Sequence, residues 1–334
     1  MSFPQQNALD STTWLLTDGR AGNVRQAAAL ARALGVAAPV TPGLDPAAPW
    51  RWLAPRRLPG AASAFGPAFA AALAGTIPAL AIGCGRQGAL ATRLVGARGA
   101  RTVQVLDPRI DPRHWDLVVA PSHDRLRGAN VVPMLGSLNP VDDAWLADAS
   151  ARFPALLALP RPRIVLLVGG PTRHAPWTTA ALQVLLAPLR ERMRAEGGSL
   201  LATVSRRTPA AVAACLREGL RDMPGLLWDG AGDNPYAGLL ACADRLVCTP
   251  DSVNMLSEAC ATAAPVFVLD PGCAGGRIGQ FLGALQDRGR VRAVGDGSLP
   301  SFAAPALRET TRVAAEVRRR LWPQPVDGDG ASRC

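Results

Sequence analysis

Short apolar runs alternate along this chain with longer segments in which Ala and Leu recur at helical spacing. This is the pattern left by βαβ units, where a strand buried on both faces is followed by a crossover helix. In the first half, the runs Thr13 to Leu16, Ala79 to Ile82, Thr102 to Leu106 and Leu117 to Ala120 predict strands, with helices over Val24 to Leu34 and Arg86 to Val95. The Pro-rich, aperiodic stretch from Thr41 to Gly60 predicts a loop or surface flap. From Leu138 to Pro162 the chain is rich in Pro and Ala, and the strand pattern then restarts at Arg163 to Val168. The second half predicts strands over Ile164 to Val168, Ser199 to Val204, Gly225 to Trp228, Arg245 to Cys248 and Val266 to Leu269, each followed by a helix. A last helix, Pro305 to Leu321, is expected to pack back on the first half.

The fold class that follows is α/β, with two Rossmann-like doubly wound parallel sheets. A chain of 334 residues accommodates two such domains. The Pro-rich bridge sets the expected boundary near 150–160: an N-terminal domain over 1–155, a C-terminal domain over 156–322, and a disordered tail over 323–334. Hydrophobic residues at 49% and charged residues at 19% are those of a folded protein.

The net charge of +10 raises the question of anionic partners. All 36 basic residues are Arg, however, and they are scattered. The clusters at Arg51 to Arg57, Arg161 to Arg163 and Arg318 to Arg320 are read as lacking the aromatic platform that nucleic-acid binding requires, so no nucleic-acid partner is expected. Contact with an anionic membrane surface stays open. The seven Cys include no CxxC pair, and no His stands at ligand spacing, so neither a disulfide framework nor a metal site is expected. Free Cys in apolar runs suits a reducing cytoplasm. Met1 to Ser11 lacks the basic and apolar regions of a signal peptide, and no apolar stretch reaches the length of a membrane span.

Polar, Gly-rich segments follow the predicted strands, where open α/β sheets place their ligands. After the first strand, Asp18, Gly19, Arg20, Gly22 and Asn23 precede a helix carrying Gln26; the glycines allow close backbone approach, and Asp18 is the carboxylate best placed as a general base. Gly83, Gly85, Arg86, Gln87 and Gly88 lie in a GxGxxG pattern, with Asp107 after the next strand. Two bulky side chains beside a would-be pyrophosphate and an internal position favour helix–strand packing or acceptor binding over a dinucleotide. Asp107 with Arg109, and His123 beside Asp124, follow the next two strands, which makes His123 a second acid–base candidate.

In the second half, Gly169 and Gly170 precede Arg173, and Ser205, Arg206 and Arg207 follow the next strand, a set suited to a diphosphate. Thr208 before Pro209 is read as a helix N-cap. The segment Asp251, Ser252, Val253, Asn254, Met255, Leu256, Ser257, Glu258 starts a helix capped by Asp251 or Ser252. Glu258, six residues after Ser252, is placed to accept both hydroxyls of a ribose. No acidic metal motif stands at a strand end, since Asp142 and Asp143 lie in the bridge. A nicotinamide-dependent sugar epimerase would need a Tyr-x-x-x-Lys pair; with one Tyr, Tyr236, and no Lys, that chemistry is excluded.

Taken together, Asp18 to Asn23, Gly83 to Gln87, Val105 to Arg109, Gly169 to Pro171, Ser205 to Thr208 and Asp251 to Ala259 resemble the mitochondrial fission, or elongated-mitochondria, family over about 13–290. That family takes its name from a plant protein implicated in organelle division, and this chain resembles its bacterial members. The resemblance implies a GT-B-like architecture of two facing Rossmann-like domains, the C-terminal one similar to the donor domain of glycosyltransferases that build lipid-linked cell-wall precursors. It also implies that Ser252 and Glu258 hold the nucleotide. The first Gly-rich loop of those transferases ends in His, where this chain has Asn23, so the acid–base role shifts to Asp18 or His123. The expected function is transfer of a sugar from a nucleoside diphosphate sugar to an acceptor of the lipid-linked or cell-envelope kind, with no cofactor and no metal. The expected location is the cytoplasm, peripheral on the inner face of the membrane. The alternative is a non-catalytic protein of the same family acting at a membrane surface or in division.

Overall fold

The computed structural model of the chain describes residues 13–295 and 297–323. The described residues form two units by chain packing: 13–121 with Arg125–Met134 and 310–323, and Ser122–Asp124 with Leu135–Glu309.

The first unit carries a parallel sheet of β1 (Thr13–Thr17), β2 (Leu80–Cys84), β3 (Arg101–Val105), β4 (Leu117–Pro121) and β5 (Val131–Met134), in that spatial order. Its helices are α1 (Ala21–Ala33), α2 (Trp50–Leu53), α3 (Gly66–Ala74) and α4 (Gly85–Gly96). After α1 the chain returns beside β1, where Val40 bridges Trp14 and exchanges backbone hydrogen bonds with Leu15 and Thr13. The chain then crosses to the other side of β1 to enter β2. The sheet's switch of direction therefore lies at β1 and β2, whose carboxyl ends carry Asp18 and Gly85. The strand β5 was not among those expected; it contains Pro133, which an edge strand tolerates because no ladder donor is needed there.

The second unit contains α5 (Asp143–Arg152), α6 (Pro154–Leu157), β6 (Arg163–Val168), α7 (Thr179–Glu196), β7 (Ser199–Val204), α8 (Ala210–Gly219), β8 (Gly225–Trp228), α9 (Tyr236–Cys242), β9 (Arg245–Cys248), α10 (Val253–Cys260), β10 (Val266–Val268), α11 (Gly276–Asp287) and β11 (Val291–Ala293). Its six parallel strands run in the order β11-β10-β9-β6-β7-β8, the doubly wound order with its switch point between β6 and β9. Alternate residues of β6 enter different cores: Val165 and Leu167 pack with α9 and α10, while Ile164, Leu166 and Val168 pack with α7 and α8. Burial on both faces is why the strand reads as an unbroken apolar run.

The boundary expected at 150–160 moves to Met134/Leu135. Trp145, Leu146 and Phe153 of the bridge pack against the second unit's core, and Gly238 of α9 lies against the Phe153 ring. Pro-rich composition here marks two short helices rather than a linker. The last helix, α12 (Glu309–Leu321), begins four residues later than expected from Pro305 and belongs from Thr310 on to the first unit. Arg318 donates there to the Ala33 carbonyl and Arg312 to that of Pro133. The expected tail lies, from residue 324 on, outside the described residues, as does the segment before Thr13. Among the described residues, no helix is long and apolar enough to cross a membrane.

Candidate functional site

At the first unit's switch point, Asp18 Oδ1 accepts from Asn23 Nδ2 at 2.8 Å and from the Arg20 N–H at 3.2 Å, while Arg20 Nε stands 3.4 Å from Oδ2. Gly19 turns with φ +73°, and Gly22 lies in the first turn of α1. Gly85, at φ +79°, sits so close that a Cβ there would lie 2.5 Å from Asn23 Nδ2. These residues form one cluster. Gln26 is instead buried inside α1.

The GxGxxG segment serves packing. A Cβ on Gly88 would lie 2.2 Å from the Leu16 carbonyl oxygen, and one on Gly83 would lie 2.6 Å from Gln104 Oε1. The glycines let α4 close on β1 and β3. Arg86 and Gln87, expected on the acceptor side, also hold backbone: Arg86 donates to the carbonyls of Trp52 and Ala54, and Gln87 Nε2 to that of Arg51. Asp107 and Arg109 pair with each other, at 2.8 Å between side chains and 2.7 Å from the Arg109 N–H.

His123, the second acid–base candidate, lies within a 3-10 turn over Ser122–Asp124 that packs with the second unit. Its ring centroid is 6.1 Å from that of Phe281, and Asp124 is paired with Arg277 at 3.0 Å. Burial lowers the His123 pKa below its ordinary value; Asp124 opposes this and Arg277 adds to it.

At the second unit's switch point, Asp251 gathers the loops. Its carboxylate accepts from Gly170 N–H at 3.0 Å, Trp177 Nε1 at 2.9 Å, Thr249 Oγ1 at 2.7 Å and Arg207 Nη2 at 3.1 Å. A Cβ on Gly169 would lie 2.1 Å from Asp251 Oδ2, and one on Gly170 would lie 2.3 Å from the Arg207 carbonyl oxygen. One reading from the sequence is corrected here: the N–H groups of Gly169 and Gly170, expected to hold phosphate, are bonded to Thr249 and Asp251. Asp251 is the buried acceptor that ties the ends of β6, β7 and β9 together. Of the two residues expected to cap α10, the cap is Ser252 rather than Asp251; its hydroxyl accepts from Met255 N–H.

Thr208 is not an N-cap either. Its hydroxyl donates to the Gly169 carbonyl at 2.6 Å and accepts from Ser205 N–H, clasping the ends of β6 and β7, while α8 starts only at Ala210. Ser205 Oγ accepts from Arg207 N–H. Arg173 donates to the neighbouring His174, and Ser257 is buried, bonded to the Val253 carbonyl and to Ser137 N–H. Met255 packs against the core and Asn254 is half-buried. Open to a ligand near the start of α10 are Arg206, exposed, Arg207, 54% exposed, and the half-buried Ser252.

Glu258 lies in the second turn of α10 and is only 3% exposed. Its Oε2 accepts from the Tyr236 hydroxyl at 2.6 Å. Tyr236 and Trp177 were missed as members of the site. The first was noted only as the lone Tyr, and the second sits in no Gly-rich or charged motif.

A family model of mitochondrial fission ELM1 matches residues 21–321. The chain belongs to the mitochondrial fission ELM1 family. This is the family its motifs resemble, and the match covers the second unit's switch point but begins after Asp18. Mitochondrial fission protein ELM1 of Arabidopsis thaliana is 31% identical over 274 residues, which are 73% of this chain and 64% of that protein. An uncharacterized protein of Rickettsia prowazekii (strain Madrid E) is 22% identical over 156 residues, 45% of this chain and 43% of the relative. The chain thus matches under two thirds of the length of either relative. Among solved structures, the UDP-GlcNAc 2-epimerase of Methanocaldococcus jannaschii is similar at a TM-score of 0.55 and 12% identity, over 91% of this chain and 98% of that one. The Neisseria meningitidis UDP-GlcNAc 2-epimerase bound to UDP-GlcNAc gives 0.51 and 12%, over 93% and 92%. The likeness is one of fold: this ELM1-family chain has two parallel-sheet α/β domains of the GT-B-like class.

Proposed function

We propose that this ELM1-family protein binds a nucleoside diphosphate sugar at the switch point of its second unit and transfers the sugar to an acceptor hydroxyl. The observation that carries the reading is the Arg207–Asp251 pair. A buried carboxylate fixes a half-exposed guanidinium beside the N-terminus of α10, where cationic donors and unpaired N–H groups suit a diphosphate. Arg206 and the Ser252 hydroxyl complete that subsite. Glu258 takes the ribose, and the Tyr236 hydroxyl stands on the carboxylate oxygen that a ribose hydroxyl would occupy, so binding exchanges one O–H donor for another.

In the transfer, the bond from the sugar's anomeric carbon to the diphosphate oxygen breaks and a bond to the acceptor oxygen forms. The acceptor proton passes to a base, the role assigned to Asp18, and the departing diphosphate's charge is held by Arg207 and the helix end. The similar solved structures are epimerases by name, so their fold supports nucleotide-sugar chemistry in general rather than this reaction.

A second reading, binding without turnover, is favoured by Asp18 itself: both its oxygens already face Asn23 or Arg20 rather than standing open to an acceptor hydroxyl. Kinship with a mitochondrial fission protein favours it too. The two separate by incubating the protein with a bound nucleotide sugar and a lipid extract and following free nucleoside diphosphate. Release that is lost in Asp18→Asn supports transfer; binding with no release in any extract supports the second reading.

A further inference from the structure

The longest stretch of the chain without an acidic residue runs through the first unit. From 46 to 106 there are seven Arg and no Asp or Glu. Within it, the Arg51 to Arg57 cluster contains an aromatic after all, Trp52, contrary to its reading from the sequence. Trp52 is 59% exposed and Leu58 is 43% exposed, whereas neighbouring Trp50 is buried. The Arg51 guanidinium lies 4.0 Å over the Trp52 ring, and Arg56 and Arg57 are exposed.

This exposure is not that of a loose loop. Three side chains of α4 grip the backbone of the segment: Arg86 on the carbonyls of Trp52 and Ala54, Gln87 on that of Arg51, and Arg93 on that of Pro55 at 2.8 Å. Burial, and after it the nearby Arg57, push the Arg93 pKa down. A fixed backbone presenting Trp outward is preorganised for contact, because little ordering is left to do on docking. Just beyond, the nine residues of α3 contain no polar side chain, and Pro67, Ala68, Ala71 and Ala74 are exposed.

We propose that residues 51–75 dock this protein on an anionic lipid bilayer. Trp52 and Leu58 enter the boundary between headgroups and acyl chains, and Arg51, Arg56 and Arg57 pair with lipid phosphates. Amphipathic Trp and Arg side chains suit that boundary, and the apolar face of α3 has a use there that a nucleic acid does not offer. A second copy of the chain is disfavoured, since the segment has no acidic residue to meet its own arginines. The proposal is independent of the nucleotide-sugar reading.

The test is co-sedimentation of the full chain with vesicles of phosphatidylglycerol and phosphatidylcholine, against phosphatidylcholine alone, at low and high ionic strength. The expected result is binding to the anionic vesicles that weakens with salt and falls about tenfold in Trp52→Glu. Arg56→Gln with Arg57→Gln should weaken binding and flatten its salt dependence. Both variants alter exposed positions and should melt as the wild type does, so loss of binding is not loss of fold. Absence of vesicle binding by the wild type, or equal binding by both variants, overturns the proposal. So does either of two other results: Trp52→Glu dissociating a vesicle-free oligomer, which would make a second copy the occupant, or the segment binding a polynucleotide in preference to vesicles.

Discussion

Arg207 donates to the Oδ2 atom of Asp251 at 3.1 Å, joining a guanidinium that is 54% exposed to a carboxylate that is fully buried. The two ends of this pair serve different purposes. Asp251 holds the loops after β6, β7 and β9 together, while Arg207 faces outward from a position that those loops fix. Asp251→Ala orphans a backbone N–H, an indole N–H and a hydroxyl at once, and is expected to cost about 3 kcal/mol of stability. Arg207→Gln is expected to cost under about 1 kcal/mol, because an ion pair open to water is largely screened. Chemical denaturation of the two variants measures the contrast.

The Tyr236–Glu258 bond separates a structural carboxylate from a ligand-binding one. Glu258→Gln keeps the volume and a hydrogen-bonding oxygen but gives up the charge that strengthens bonds to hydroxyl donors. Nucleotide affinity is expected to drop about tenfold, as befits a charge-assisted hydrogen bond, with a melting temperature within a few degrees of the wild type. Tyr236→Phe removes a competitor of the ribose and should leave affinity equal or higher. Calorimetric titration of both variants checks this.

Gly88 tests the packing account of the GxGxxG segment. A methyl group there meets the Leu16 carbonyl at 2.2 Å, on a backbone that cannot swing aside. Gly88→Ala is expected to destabilise the protein by about 2 kcal/mol or more. Gly43→Ala, where nothing lies within 4 Å, is the control and should be close to neutral. Thermal melts of the pair decide whether the pattern serves the helix–strand contact.

His123 gives a pH signature. Its folded pKa lies below the ordinary value of 6.5, chiefly through burial, so the unfolded chain takes up the proton first. Its contribution to stability is complete above that value and is lost as pH falls through it toward the folded value. The melting temperature should therefore fall on acidification across this window, with a smaller slope in His123→Gln. His114 is shifted the same way, also by burial, and His114→Gln identifies the part of the slope that it supplies.

Much of the fold was legible because buried parallel strands announce themselves as apolar runs: β7, β8 and β9 begin and end where the pattern put them. The elements missed were those whose neighbours, not composition, decide their state. The strand β5 contains a Pro that an edge tolerates, and β11 buries only Val291 of its three residues. The domain boundary was misplaced because Pro154, in a segment that looked like a linker, opens a helix that packs on α9.

Within the site, spacing located the right strand ends but not the division of labour at them. Nothing in the one-dimensional pattern shows that Asp251 faces Trp177, 74 positions earlier, or that the glycine N–H groups are already bonded within the protein. Glycine-rich loops read the same whether they admit a ligand or a neighbouring side chain.

The central claim is that a nucleoside diphosphate sugar binds at the second unit's switch point. The direct measurement is thermal shift of the wild type, Arg207→Gln and Glu258→Gln with a panel of UDP-, GDP- and ADP-linked sugars. The account predicts that at least one of them raises the wild-type melting temperature and that both variants reduce the shift. No shift with any sugar nucleotide, or a shift undiminished in both variants, would contradict it.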